Sequence, residues 1–244
     1  MALETPLRVR PIVTYPESDG EPMAETDIHR KQMTYLIQAL EVFFHGSPEI
    51  YVAGNLFLYW EEGDPTKVVA PDVFVVKGVP KRDRRTYKLW EEGKPPILVF
   101  EITSARTRFE DIGPKKGLYE ALGAQEYFLF DPLEEYLRPP LVGYRLREAQ
   151  YTRVEPEVTP DGAWRLRSEV LNLDLKVEGE RLWLVEPTTG RKLPEYAEAV
   201  AAHHEAEARA GQETQARQQI EARVAQVEAE LERLKGELRR IERK

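Results

Sequence analysis

The chain has no cysteine among its 244 residues, which excludes a disulfide framework and any thiolate metal site. Histidine is scarce: His29, His45, His203 and His204 are the only four. No HExxH pair occurs, and neighbouring histidines on a helix do not share a face, so no zinc centre is expected. A GxxxxGK[ST] loop is missing, as is a GxSxG elbow, so neither nucleotide hydrolysis nor serine chemistry is indicated. The start, MALETPLRVRPIV, lacks the basic stretch and apolar run of a signal peptide. No segment is apolar enough to cross a bilayer. The expectation is a cytoplasmic protein without a membrane partner, in keeping with the lack of cysteine.

What is present suits a folded enzyme-sized domain. Hydrophobic residues make up 41% and aromatic residues 9% of the chain, ample for a core and unlike a disordered composition. The formal net charge is −8, which counts against strong non-specific binding to nucleic acid. Only local charge matters at a cleft, however, and acidic clusters are what a hard cation requires. The best local phosphate-binding candidate is the run Lys81-Arg82-Asp83-Arg84-Arg85. The tryptophans Trp60, Trp90, Trp164 and Trp183 read as packing residues.

Composition changes near Pro194, placing one domain over 1–194 and a tail over 195–244. The tail has no Pro, Phe or Trp. Its apolar residues Ile220, Val224, Val227, Leu231, Leu234, Leu238 and Ile241 alternate steps of four and three, the a/d seam of a coiled coil. Homo-oligomerisation through residues 220–241 is expected, with the number of strands left open. In the domain, Thr26 or Asp27 caps a helix reaching about His45, its inner face carrying Met33, Leu36, Ile37, Leu40, Phe43 and Phe44. Strands are read at Ile50–Tyr59, Lys67–Val76, Ile97–Thr103 and Glu126–Phe130, and shorter ones at Val142–Leu146, Ala163–Arg167 and Arg181–Val185. A helix from about Ile112 to Leu122 has Pro114 in its first turn and Gly123 just beyond its end. The stretch from Gly78 to Pro96 reads as a charged, partly helical excursion outside the core.

Two carboxylates sit where a buried strand calls for aliphatic side chains. Asp72 follows Pro71 and leads into Val73–Val76, and Glu101 interrupts Ile97-Leu98-Val99-Phe100-Glu101-Ile102. A carboxylate in such a run must be paired, protonated or bound to a metal. Lys115 falls in the first turn of its helix, where the dipole disfavours a cation by up to about 1 kcal/mol. A lysine held there against that preference points to a site. Tyr119, one turn on, shares its face.

These residues carry a resemblance. Pro71-Asp72-Val73-Phe74-Val75, Glu101-Ile102-Thr103-Ser104, Thr107-Arg108, Asp111, Lys115, Tyr119-Glu120-Ala121-Leu122-Gly123 and Glu126 to Pro132 together resemble the Uma-type restriction endonuclease family of the PD-(D/E)XK nuclease superfamily. The resemblance covers roughly residues 10–194. It implies an α/β fold, a restriction-endonuclease-like mixed central sheet flanked by helices. It further implies metal-dependent hydrolysis of DNA phosphodiesters, with Asp72 and Glu101 holding Mg²⁺ or Mn²⁺. The parent motif places a lysine two residues after the glutamate, where this chain has Thr103. Lys115 from the following helix is the natural replacement, and Glu25 is the candidate for the first-helix acid of the superfamily. The alternative is a nuclease-fold module without catalysis, binding nucleic acid or protein and assembled by its coiled coil.

Overall fold

The computed structural model describes residues 13–18, 20 and 26–241, and the side chains of 196–241 only in part. Glu25 lies outside the described residues. Helix α1 (Asp27–Phe43) leads to β1 (Ile50–Ala53), β2 (Leu58–Tyr59), β3 (Val68–Val69), β4 (Val73–Lys77) and β5 (Tyr87–Lys88). After the short α2 (Leu89–Glu92) come β6 (Leu98–Ile102), α3 (Arg108–Glu110), a π-helical turn (Asp111–Lys115) and α4 (Lys116–Leu122). Next are β7 (Glu126–Phe130), β8 (Leu141–Arg147), β9 (Gln150–Val154), β10 (Glu157–Val158), β11 (Trp164–Ser168), β12 (Leu173–Glu178) and β13 (Arg181–Val185). The last element is helix α5 (Tyr196–Ile241). The chain divides into two compact units, residues 1–195 and 196–244. No helix among the described residues is long and apolar enough to cross a membrane.

The fold is mixed α/β, as expected. Its central sheet runs β1-β4-β6-β7-β8-β9, with β6 and β7 parallel and every other neighbour antiparallel. Strand alternation sorts its side chains onto two faces. Val73, Val75, Leu98, Phe100, Phe128 and Phe130 face α1 and the antiparallel sheet β10-β11-β12-β13 in one core cluster. Phe74, Val76, Val99, Tyr127 and Leu129 pack in a second cluster with Tyr119 of α4 and with Leu58 and Tyr87 of the small sheet β3-β2-β5. Covered on both sides, β4, β6 and β7 are nearly continuous buried runs.

Several boundaries differ from those read in the sequence. The run Ile50–Tyr59 is broken between β1 and β2, and Lys67–Val76 between β3 and β4. Pro71 has no N–H to give to a ladder, and its carbonyl is taken by the Asn55 N–H at 2.9 Å. The inner face of α1 is rotated: His29, Gln32, Tyr35, Leu36, Ala39 and Leu40 are buried, while Phe43 is exposed. Polar residues face inward because β13 receives them. Gln32 donates to the Leu182 carbonyl at 2.8 Å and accepts from the Leu182 N–H at 3.1 Å. The Tyr35 hydroxyl bridges the Leu193 carbonyl and the Leu184 N–H, both at 3.2 Å.

The region between Gly78 and Pro96 also departs from expectation. Tyr87 is fully buried, and the side chain of Arg84 is only 2% exposed. Arg84 grips Glu92 with two hydrogen bonds of 2.8 and 2.9 Å and lies 4.2 Å from the centre of the Tyr51 ring. Lys81 donates to the Phe44 carbonyl past the end of α1, Arg82 pairs with Glu92 and Arg85 with Glu17. Lys81, Arg82, Arg84 and Arg85 thus each have a partner within the chain, and Arg84 is buried with its own.

A second buried carboxylate ties the two larger sheets together. Glu126 accepts from the Ser168 hydroxyl, the Glu169 and Val170 N–H groups and Arg145. Glu126→Ala strands these donors in a site that is 1% exposed. The expected loss is about 2–4 kcal/mol, read as a lower urea midpoint at unchanged slope. An unmoved midpoint would show that water replaces the carboxylate freely.

Candidate active site

The register brings the two strand carboxylates together. β4 and β6 pair Val73 with Phe100, so one step further Asp72 stands across from Glu101. Both fall on the α4 face by strand alternation, since Glu101 is two residues from Val99 and Asp72 is two from Phe74. Above them the helix carrying Lys115 starts at Arg108, four residues before its expected beginning. Pro114 cannot donate a hydrogen bond, and the backbone around it takes a wider π turn over Asp111–Lys115. That turn brings Lys115 to Glu101 of β6 and to Asp111 at its own start.

Lys115 Nζ lies 2.9 Å from Glu101 Oε2 and 2.9 Å from Asp111 Oδ1. The other oxygen of Glu101 accepts from the Tyr119 hydroxyl at 2.7 Å. Asp72 Oδ2 accepts from the Ile102 N–H at 2.7 Å, and Oδ1 faces His29 Nε2 at 3.3 Å. Tyr127, beneath the turn, donates to the Asp111 carbonyl at 2.9 Å. The carboxylate of Asp111, fully buried, has no hydrogen bond of ordinary geometry, and the buried Thr103 hydroxyl has none either.

The electrostatics follow from burial with one cation among three acids. Loss of water pushes the Glu101 carboxyl up to about 8, opposed by Lys115 and reinforced by Asp72 and Asp111. Burial raises Asp111 as well, against the pull of Lys115. Burial alone lowers the Lys115 ammonium, but Glu101, Asp111 and Asp72 outweigh it and hold it above its ordinary value. The site is short of positive charge, felt most by Glu101. Burial and the nearby Glu101 hold the Tyr119 hydroxyl far above its usual range, so it remains a donor.

This donor chemistry fits a hard cation, which takes carboxylate oxygens and tolerates bound water. The excess of acids over the single lysine is what such an ion would satisfy. Among the described residues no three acidic or histidine side chains already converge on one point. The lysine ammonium bridges Glu101 and Asp111.

A family model described as "Putative restriction endonuclease", Uma2, matches residues 3–178. The chain belongs to the Uma2 family. Among solved structures it is similar to a protein from Anabaena variabilis described as a "putative nuclease belonging to DUF820". The identity is 16%, the match covers 61% of this chain and 84% of that one, and the TM-score is 0.42. No curated protein matches.

Of the residues singled out in this Uma2 sequence, Asp72, Glu101 and Lys115 meet, and Tyr119 joins them. Two others went unassigned. Asp111 was legible as part of the family pattern but carried no role; its spacing of four from Lys115 on a helix was the available signal. His29 gave no local signal, since its partner is far along the chain. Gly54 is a third, a backbone seat for Asp72. A Cβ built on Gly54 would lie 2.2 Å from the Asp72 carbonyl oxygen and 2.6 Å from Ile37 Cδ1. Gly54→Ala must therefore displace the Asp72 backbone. It is expected to cost about 1–3 kcal/mol and to weaken whatever activity Asp72 supports more than a comparable loss made at Gly143. There an added Cβ would meet only side chains, Leu166 at 2.8 Å and Phe128 at 3.0 Å. Equal activity in the two variants at matched stability would remove Gly54 from the site.

Proposed function

We propose that this protein is a metal-dependent endonuclease that hydrolyses DNA phosphodiester bonds, with Asp72 and Glu101 holding Mg²⁺ or Mn²⁺. The observation that carries the reading is the buried pairing of Glu101 and Asp111 with a single lysine, with Asp72 across from Glu101 in the strand register, in a chain of the Uma2 family. The bound ion would polarise a phosphoryl oxygen and lower the pKa of a coordinated water. The protein's own groups have separate tasks. The Ile102 N–H and His29 fix the orientation of Asp72, and the Tyr119 hydroxyl fixes that of Glu101. Lys115, charged throughout the neutral range, orients the attacking water and offsets charge that builds on the phosphoryl oxygens. Hydrolysis joins the water oxygen to phosphorus and breaks one P–O ester bond, whose departing oxygen takes up a proton. Copies of the chain associate through the 220–241 seam, which would supply more than one site per assembly.

One observation favours a second reading, a nuclease-fold module that binds nucleic acid or protein without cutting. Thr103 occupies the place of the parent motif's lysine, and Lys115, which replaces it, is paired with two acids.

The deciding experiment incubates the full chain with supercoiled plasmid and with single-stranded DNA in Mg²⁺, Mn²⁺ or EDTA, with Asp72→Asn in parallel. Cleavage that needs the metal and disappears in the variant is the expected result. Absence of cutting while both proteins bind DNA alike would move the protein to the second reading.

A further inference from the structure

The tail helix presents a face that the structure leaves uncovered. α5 is continuous over 46 residues. Ile220 is 64% exposed, and Val224, Val227 and Leu231 are each 50% exposed. Four aliphatic residues in one stripe on an otherwise Glu-, Arg-, Gln- and Ala-rich helix are a face for a partner helix.

The sequence of the stripe says what that partner is. The step of three from Val224 to Val227 makes Val224, Leu231 and Leu238 the a positions, and Ile220, Val227, Leu234 and Ile241 the d positions. The g positions are then Arg223, Glu230 and Glu237, and the e positions include Glu221, Glu228 and Lys235. In a parallel, in-register pairing each g residue meets the e residue five further along on the other chain. Arg223 meets Glu228 and Glu230 meets Lys235, both opposite in charge. One pair, Glu237 with Glu242, is like-charged. All seven layers are apolar in this arrangement.

Antiparallel pairing sets a against d. The best alignment, Ile220 with Leu238 and Val224 with Leu234, places Ile241 against Arg217. It also sets Glu228 and Glu230 each against its own copy in the middle of the seam. A parallel slip of one heptad strips two apolar layers and brings Arg223 to Lys235 or Glu230 to Glu228.

We propose that the tail joins copies of this same chain in parallel and in register, so that every nuclease domain enters the assembly from the same end of the coil. This rests on self-association through the 220–241 seam and adds its orientation and register.

The lack of native cysteine makes the test direct. Ile220→Cys in the full chain is oxidised and run on a non-reducing gel, beside light scattering of the reduced protein. The expected result is an oligomer that forms a covalent dimer through Cys at 220, while Gln226→Cys, on the outer face, does not cross-link. An oligomer in which Ile220→Cys stays uncrosslinked, but forms a heterodimer when co-expressed with Leu238→Cys, would overturn the parallel arrangement and leave self-association standing. A monomer by light scattering would remove self-association itself, and the orientation with it.

Discussion

Replacing Lys115 with methionine is expected to destabilise the domain by about 3–5 kcal/mol at pH 8 and to abolish cleavage. The side chain is 14% exposed and holds two acids that are each 1% exposed. Methionine fills a similar volume without charge, leaving Glu101, Asp111 and the nearby Asp72 with no cation from the protein. Breaking a buried pair by removing one partner costs more than the pair itself contributes, because the remaining charge stays desolvated. The acids can escape that cost by taking up protons, so the loss should shrink as pH falls toward 5. A double variant, Lys115→Met with Glu101→Gln, should recover part of the stability and none of the activity. Urea denaturation of the three proteins at both pH values measures this. Equal loss at pH 5 and pH 8 would mean that packing of the lysine stem, rather than charge, is what the site uses. Activity persisting in the single variant would remove Lys115 from the chemistry.

The same shortage of positive charge sets a pH dependence with a definite sign. Glu101 is raised from 4.5 to about 8 in the folded protein. A raised carboxyl favours the folded state while it is protonated, so its contribution is present below about pH 4.5 and is lost as pH rises to 8. Asp111, also raised, acts in the same direction. Lys115, raised from an already high value, changes nothing inside that window. In EDTA the stability should therefore decline from pH 5 to pH 8, at a slope approaching about 1.4 kcal/mol per unit for each proton released. Mg²⁺ competes with those protons, so the stabilisation it gives should grow with pH. Melting temperatures at pH 5.5 and pH 8, with and without millimolar Mg²⁺, read this without relying on catalysis. Glu101→Gln serves as the control that flattens the trend. A Mg²⁺ effect equal at both pH values, or unchanged in Glu101→Gln, would place any bound ion elsewhere.

What was legible in the sequence was periodic or local. The continuous apolar runs Val73–Val76 and Leu98–Phe100 told that these strands are covered on both faces, so Asp72 and Glu101 stood out as charges beside or inside them. Steps of three and four marked the tail seam, and Thr26 does cap α1, accepting from the His29 N–H at 3.2 Å. The strand that appeared as one run from Ile50 to Tyr59 could not be divided from its composition. The break depends on Pro71, seventeen residues after Gly54, lying close enough to claim the Asn55 N–H.

The sequence by itself determined the α/β class, the pair of strand acids and the family pattern that links them to Lys115; no helix dipole singles out that lysine, because its helix already starts at Arg108. Each of these follows from neighbours within about a dozen residues or from a repeat, and such signals survive in one dimension. Only the tertiary structure decided that His29 reaches Asp72 from α1, that the π turn at Pro114 sets Lys115 on both Glu101 and Asp111, and that Arg84 is buried against Tyr51. Those contacts join elements far apart in the chain, and a polar side chain's partner there is set by how the layers pack. A basic run reads alike whether it faces phosphate or its own glutamates. Lys115 likewise gains its role from the desolvated acids around it, whose electrostatic strength arises only when folding removes the water.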